Sequence, residues 1–184
     1  VIISKKMAGF DVREKGSKNA GSTNVLRTAG KKVAILTLIC DVLKGVIAVL
    51  FAKLIGKIDN FENTAYLLQL AGLMVVLGHT FPIFFGFKGG KGVATSLGVI
   101  MMINWQIGLI CLVFALILMI LTRIVSLGSV AAAILFPVLT LFITENYSVA
   151  GDYRIFGILL GVFVCFNHRA NIKRLLKGEE KRIF

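Results

Sequence analysis

Residues 81 to 98 read FPIFFGFKGGKGVATSLG. Within them Lys88, Gly89, Gly90, Lys91 and Gly92 set two positive charges and three residues without side chains between apolar segments. Glycine lets a backbone turn sharply and bring its N–H groups close to a ligand. Lysine adds a compact point charge. At the edge of a membrane, this combination suits a loop that holds a phosphate.

Two further polar runs carry related chemistry. Gly16 to Arg27 reads GSKNAGSTNVLR. Ser17, Asn19, Ser22, Thr23 and Asn24 offer hydroxyls and amides that can wrap a polar ligand, and Arg27 can grip a phosphate in a bidentate way. A solvated loop leading into a helix cap accounts for the same residues without a ligand. Asn167 to Glu180 reads NHRANIKRLLKGEE and holds His168, one of two histidines. On a helix, His168, Asn171 and Leu175 share a face and bring the imidazole and the amide together. A basic helix lying on lipid headgroups is the plainer account of this run. His79, ahead of Phe81-Pro82 in an apolar segment, fits a structural hydrogen bond. Asp41 and Lys44 stand three apart inside another apolar segment and can pair on one face. They serve either helix packing or a substrate path.

These runs must be positioned by membrane helices. The chain is 57% hydrophobic and 16% charged, with mean hydropathy +0.88, outside the range of ordinary soluble domains. Apolar stretches cover Val33–Gly56, Thr64–Gly86, Val93–Thr122, Ser126–Thr144 and Tyr153–Phe166. A crossing takes ~20 residues, so the third stretch is too long for one. Asn104 and Gln106 interrupt it, which predicts a short helix near Val93–Ile103 and a longer one near Ile107–Leu121. The reading is an all-α, polytopic membrane protein with about six transmembrane helices in one domain over residues 1–184.

Charge supports this topology. Placing residues 1–32, 87–92, 122–128 and 167–184 on one side collects 17 of the 21 basic residues there. The positive-inside rule makes that side cytoplasmic. Asp59, Glu62, Glu145 and Asp152 fall opposite. The basic excess is explained by anionic lipid headgroups rather than nucleic acid, since no RNA-binding aromatic motif is present. Cys40, Cys111 and Cys165 lie in apolar segments without ligand spacing and read as packing residues. No metal-ligand set, Walker A sequence or Gly-x-Ser-x-Gly elbow occurs. The chain opens VIISKK, without a cleavable signal peptide.

The three polar runs, in order, resemble the three motifs of the bacterial acyl-phosphate:glycerol-3-phosphate acyltransferases, the PlsY family. The Asp41–Gly45 sequence DVLKG fits the family's second helix, and the likeness covers nearly the whole chain. Lys18 stands where many members have glycine. Members resemble a seven-helix protein, which implies that a first transmembrane helix is missing here and that only its end, Val1–Ser4, remains.

The resemblance implies transfer of an acyl group from a long-chain acyl phosphate to the 1-hydroxyl of glycerol 3-phosphate. The products are lysophosphatidic acid and phosphate, in the first acylation of phospholipid synthesis. It implies catalytic roles for His168, Asn171, Ser17 and Arg27. Asn19, Asn24, Lys88, Gly89, Gly90, Lys91 and Gly92 would bind substrate, with Ser126 and Ser129 as polar lining and Glu180 as a structural residue paired with a nearby base. No cofactor or metal is expected. The protein would be a monomer in the bacterial inner membrane, its site facing the cytoplasm. It would be linked functionally to the enzyme that makes acyl phosphate from acyl carrier protein. The donor being already activated, the simplest mechanism is direct attack, the proton passing to His168 or to a substrate phosphate. A transporter or lipid-binding protein is the competing class, disfavoured because the polar runs gather on one side.

Overall fold

The apolar stretches fold as helices where expected, as a computed structural model describing residues 1–59, 63–143 and 153–183 makes plain. Helix α3 (Lys31–Ile58) contains the first stretch, and α4 (Thr64–Thr80) most of the second. The third breaks into α5 (Val93–Ile103) and α6 (Trp105–Thr122), followed by α7 (Val125–Ile143) and α8 (Arg154–Asn167). Three shorter helices, α1 (Ile2–Ala8), α2 (Ser22–Ala29) and α9 (Arg169–Leu176), come from the polar runs and the start of the chain. Glu62, Thr144, Glu145 and Asp152 lie outside the described residues. No strand occurs among the described residues.

Asn104 makes the break in the long run. Its backbone is extended, and its side chain accepts the Ile107 N–H at 3.1 Å, capping α6. Helices α3, α6 and α7, and α4 with the turn after it, are each long and apolar enough to cross a membrane. α8 meets α9 at 66° and makes a fifth candidate if the pair is one bent span. α5 has 11 residues, a rise of about 16 Å at the helical repeat. That is half of the ~30 Å hydrocarbon core. Large apolar side chains such as Phe51, Leu121, Phe142 and Ile155 face outward, as lipid contact requires and water would not favour.

α5 is held by α3. A side chain at Gly98 would strike Val42 O and the Val46 N, 3.2 Å away, and one at Gly45 would strike Thr95 O and the Val99 N, 3.1 Å away. The two backbones therefore touch through a reciprocal pair of glycines, the close approach that small residues permit between membrane helices. Beside this crossing the core is apolar: Val49, Val76, Val99, Ile107, Phe156 and Leu160 are buried together. A second cluster, Val12, Val25, Val33 and Ala34, anchors the first polar run to the start of α3.

The four basic segments meet at one end of the bundle. Ala20 N donates to Gly89 O at 3.4 Å, Arg27 Nη2 to Lys181 O at 3.0 Å, and Ile183 N to Arg123 O at 2.9 Å. The grouping read from the charges is thus a spatial one.

Candidate active site

The glycine loop begins where α4 ends. Gly89 N donates to Thr80 O at 3.0 Å and Gly90 N to His79 O at 3.2 Å, so both amides cap the last carbonyls of α4. This corrects the expectation that these two N–H groups face a ligand. Side chains at either position would collide with His79 and its neighbours, which is why glycine is needed there. Gly92 has φ +90° and a different part: it starts α5, whose first turn has no side-chain cap. The free N–H groups of that turn and its dipole favour an anion. Around it, the buried hydroxyls of Thr80, Thr95 and Ser96 have no hydrogen-bond partner among the described residues. Those of Thr80 and Ser96 lie 3.7 and 3.9 Å from where a Gly92 side chain would begin. The Thr80 and Ser96 hydroxyls are thus buried polar groups beside the uncapped turn.

Lys91 faces the same end of the molecule. Its ammonium donates to Asn171 Oδ1. Asn171 Nδ2 donates to Glu180 Oε1 at 2.9 Å, and Arg174 Nε donates to Glu180 Oε2 at 2.7 Å. Burial pulls the Lys91 ammonium down to about 8, while Glu180 works against that and Arg174 and Arg27 add to it. Glu180 is held below the usual carboxylate range: burial opposes this, but the bonds from Arg174 and Asn171 and the nearby Ser126 hydroxyl outweigh it. The Ser126 hydroxyl is buried beside Glu180. Asn167 Nδ2 reaches Lys91 O at 3.5 Å.

His168 occupies the corner between α8 and α9, almost fully buried. Its Nδ1 lies 2.8 Å from Val164 O. A carbonyl only accepts, so Nδ1 carries the proton and Nε2 keeps its lone pair. Burial pushes the imidazole down to about 4, and the charge of Lys91 pushes the same way. His168 is therefore a neutral hydrogen-bond acceptor of low basicity.

The first polar run is organised by one buried side chain. Asn24 Oδ1 accepts Ser17 N–H at 2.9 Å, and Asn24 Nδ2 reaches Val12 O, Lys15 O and Asn19 O at 2.9, 3.1 and 2.9 Å. Asn24, expected to bind substrate, is engaged with backbone and shapes the loop instead. Asn19 Oδ1 accepts Gly21 N–H at 2.9 Å and closes a local turn. Ser129 bonds back to Val125 O at 3.0 Å within α7, so its hydroxyl is engaged within its own helix. Ser17 and Arg27 are exposed. The charge of Arg27 acts on Lys91, whereas Ser17 is tied in through its backbone alone. Lys88 does not share the Lys91 socket. It lines an open cleft of about 360 Å³ with Asp11, Arg13, Glu14, Phe85 and Gly86. There Arg13 donates to Phe85 O and Lys88 O at 2.6 and 3.3 Å, and holds the Asp11 carboxyl well below its usual range.

Residues 1–178 match the family model described as Glycerol-3-phosphate acyltransferase. The chain belongs to that family. A glycerol-3-phosphate acyltransferase of Clostridioides difficile (strain 630) is 43% identical over 182 residues, covering 99% of this chain and 86% of the relative. One from Synechococcus elongatus is 42% identical over 184 residues, with the same coverage. Two crystal structures of PlsY (YgiH), described as an integral membrane glycerol 3-phosphate acyltransferase, are similar in fold. The glycerol 3-phosphate form has TM-score 0.83 at 39% identity, covering 98% of this chain and 86% of that one. The lysophosphatidic acid form has TM-score 0.77 at 40% identity, covering 91% and 81%. This member of the family is an all-helical integral membrane protein.

The sequence reading of this acyltransferase-family site missed Thr80, Thr95 and Ser96. Hydroxyls in the first turn of an apolar helix that follows a glycine loop were the available signal. The nearby Arg or Lys expected to pair with Glu180 is Arg174, brought to it by the chain reversing after α9.

Proposed function

We propose that this protein transfers a fatty acyl group from acyl phosphate to the 1-hydroxyl of glycerol 3-phosphate, releasing phosphate and 1-acylglycerol 3-phosphate. The observation that carries this is the meeting of Lys91 with Asn171, beside buried, neutral His168 and the uncapped start of α5. Two anion sockets next to a hydrogen-bond acceptor are what two phosphorylated substrates and one attacking hydroxyl require. Relatives named as glycerol-3-phosphate acyltransferases, and a neighbour solved in glycerol 3-phosphate and lysophosphatidic acid forms, support the same reading.

Lys91 and Arg27 bind phosphate and stabilise the charge of the leaving group. Asn171 and Ser17 orient the acceptor. His168 Nε2 accepts a hydrogen bond from the 1-hydroxyl and lines it up with the carbonyl carbon. Attack is direct, without an acyl-enzyme. The site faces the cytoplasm, because the basic segments gather there. The acyl chain stays in the bilayer while its head reaches the site. The protein acts as a monomer and depends on an enzyme that converts acyl carrier protein thioesters to acyl phosphate.

The test is acyl transfer by purified protein in lipid, using radiolabelled glycerol 3-phosphate with either palmitoyl phosphate or palmitoyl-CoA. Lysophosphatidic acid formed from palmitoyl phosphate alone supports the reading. Product from palmitoyl-CoA alone, or from neither donor with folded protein, refutes it.

A further inference from the structure

We propose that Asp41, Lys44 and His79 are positioning residues that hold Gly90, and through it Lys91, in place for the phosphate of glycerol 3-phosphate. The substrate in this statement rests on the function proposed above; the positioning of the loop does not.

Lys44 Nζ on α3 donates to Asp41 Oδ1 at 2.6 Å, one turn earlier, and to His79 Nδ1 on α4. Asp41 Oδ1 is 3.5 Å from the same ring nitrogen, beyond a good hydrogen bond. An ammonium has donors only, so Nδ1 accepts and the ring proton sits on Nε2. That nitrogen faces the loop: a side chain at Gly90 would collide with Nε2 and Cε1 of the ring. The carbonyl of His79 accepts Gly90 N–H at 3.2 Å. His79 thus contacts Gly90 from two directions, by its backbone and by its ring, and α3 sets the orientation of the ring.

Packing alone does not account for this arrangement. Charged groups in an apolar helix are costly, and apolar residues of similar size would join α3 to α4 at least as well. Side-chain exposure runs from 37% at Lys44 through 14% at Asp41 to 8% at His79, so the polar chain leads inward, from the surface to the loop. The residue after Gly90 is Lys91, whose ammonium reaches Asn171.

Full-length protein in lipid nanodiscs is compared as wild type, Lys44→Met, His79→Asn and His79→Gln. Two readouts are taken: hydrogen exchange over residues 86–93, and KM and kcat for glycerol 3-phosphate with palmitoyl phosphate. Asn places its amide where Nδ1 was and leaves the Gly90 side empty, whereas Gln reaches the position of Nε2. Lys44→Met and His79→Asn are expected to speed exchange in the loop and raise KM about tenfold, the scale on which a misplaced binding group acts, with kcat little changed. His79→Gln, which fills the Gly90 side but gives Lys44 no acceptor at the place of Nδ1, is expected to fall with Lys44→Met. Unchanged exchange and KM in Lys44→Met and His79→Asn, with only a lower melting temperature, would overturn the proposal. So would wild-type exchange and KM in His79→Gln. Asp41→Asn, which keeps the side-chain shape, replaces Lys44→Met if that variant does not fold, and is held to the same two outcomes. If wild-type protein transfers no acyl group, the proposed function fails, and the exchange data alone still decide whether this chain of residues holds the loop.

Discussion

Replacing Glu180 with Gln tests how the site fixes Asn171. A carboxylate only accepts hydrogen bonds, and Glu180 accepts from Asn171 Nδ2 at 2.9 Å and Arg174 Nε at 2.7 Å. Its demand for two donors turns the Asn171 amide so that Oδ1 faces Lys91. Gln brings one NH2 to this place. If the NH2 faces Asn171, two donors meet, the Asn171 amide flips, and Lys91 loses its acceptor. If it faces Arg174, the donors meet there instead. In the second case Asn171 stays in place and only the 41% exposed Arg174 is displaced, at a cost under about threefold; in the first the bond from Lys91 is lost. Such a bond is worth about 1.5–3 kcal/mol, which at about 1.4 kcal/mol per tenfold is roughly a 10- to 150-fold loss in kcat/KM. The assay is acyl transfer to radiolabelled glycerol 3-phosphate over a range of concentrations. Arg174→Met is the control. Arg174 is 41% exposed at its side chain, so its loss leaves Glu180 able to hold Asn171 and is expected to cost less than about threefold. A kcat/KM within about threefold of wild type in Glu180→Gln would show that Gln keeps Asn171 in place; wild-type kcat/KM in Glu180→Leu, which offers Asn171 no acceptor, would refute the reasoning. An equal loss in Arg174→Met would show that the ion pair matters and the amide orientation does not.

Four other outcomes are expected. Because Lys91 is charged below about 8 and loses its proton above it, kcat/KM for glycerol 3-phosphate falls as pH rises through that region, and Lys91→Arg moves the alkaline limb upward in the same pH profile. His168→Gln keeps an acceptor of similar reach and retains most of its turnover number if the histidine only orients the hydroxyl; loss of turnover in a steady-state assay shows it to be an obligatory base. Lys18 has φ 58°, a left-handed conformation costing a non-glycine residue about 1–2 kcal/mol. Lys18→Gly is therefore expected to raise the melting temperature in detergent slightly, the added freedom of the unfolded chain offsetting part of the gain. Gly98→Ala drives a methyl into the backbone of α3 and should destabilise the protein by about 1–3 kcal/mol, measured by the same thermal unfolding.

The helices were legible because their cause is local. Runs of apolar residues and an interrupting Asn104 are enough to place α3 to α8, and the grouping of the basic segments at one end follows from where Lys and Arg fall. The motif residues His168, Asn171 and Lys91 were also legible, and they do meet. What the sequence did not reveal was how each polar group is used. Asn24 and Ser17 stand in one run with the same apparent chemistry, yet Asn24 is buried and engaged by backbone while Ser17 is exposed. That difference depends on how the run folds back over Val12 and Val25. Gly89 and Gly90 look like ligand-facing residues, but they lie under the end of α4, bonded to Thr80 and His79, 9 and 11 residues back in sequence, which no spacing rule gives. Lys88 and Lys91, three apart in a loop, diverge because the chain turns between them. Even Lys18 is explained only by structure, since its positive φ is the reason glycine suits that position.

The electrostatics of the site bear on the remaining chemical choice, the acceptor of the hydroxyl proton. His168 has the geometry of a base: Val164 O holds Nδ1–H, and Nε2 is left with its lone pair. It lacks the strength, since burial, with the positive charge of Lys91 adding to it, brings it to about 4. A phosphate monoester in water takes its second proton near pH ~6, which makes a substrate phosphate oxygen the alternative acceptor. The same cations that weaken His168 draw that phosphate into the site. A protonated histidine there would bind phosphate more tightly, but it could no longer accept a hydrogen bond from the hydroxyl. On the function proposed above, a neutral His168 would serve orientation and leave proton transfer to a substrate phosphate.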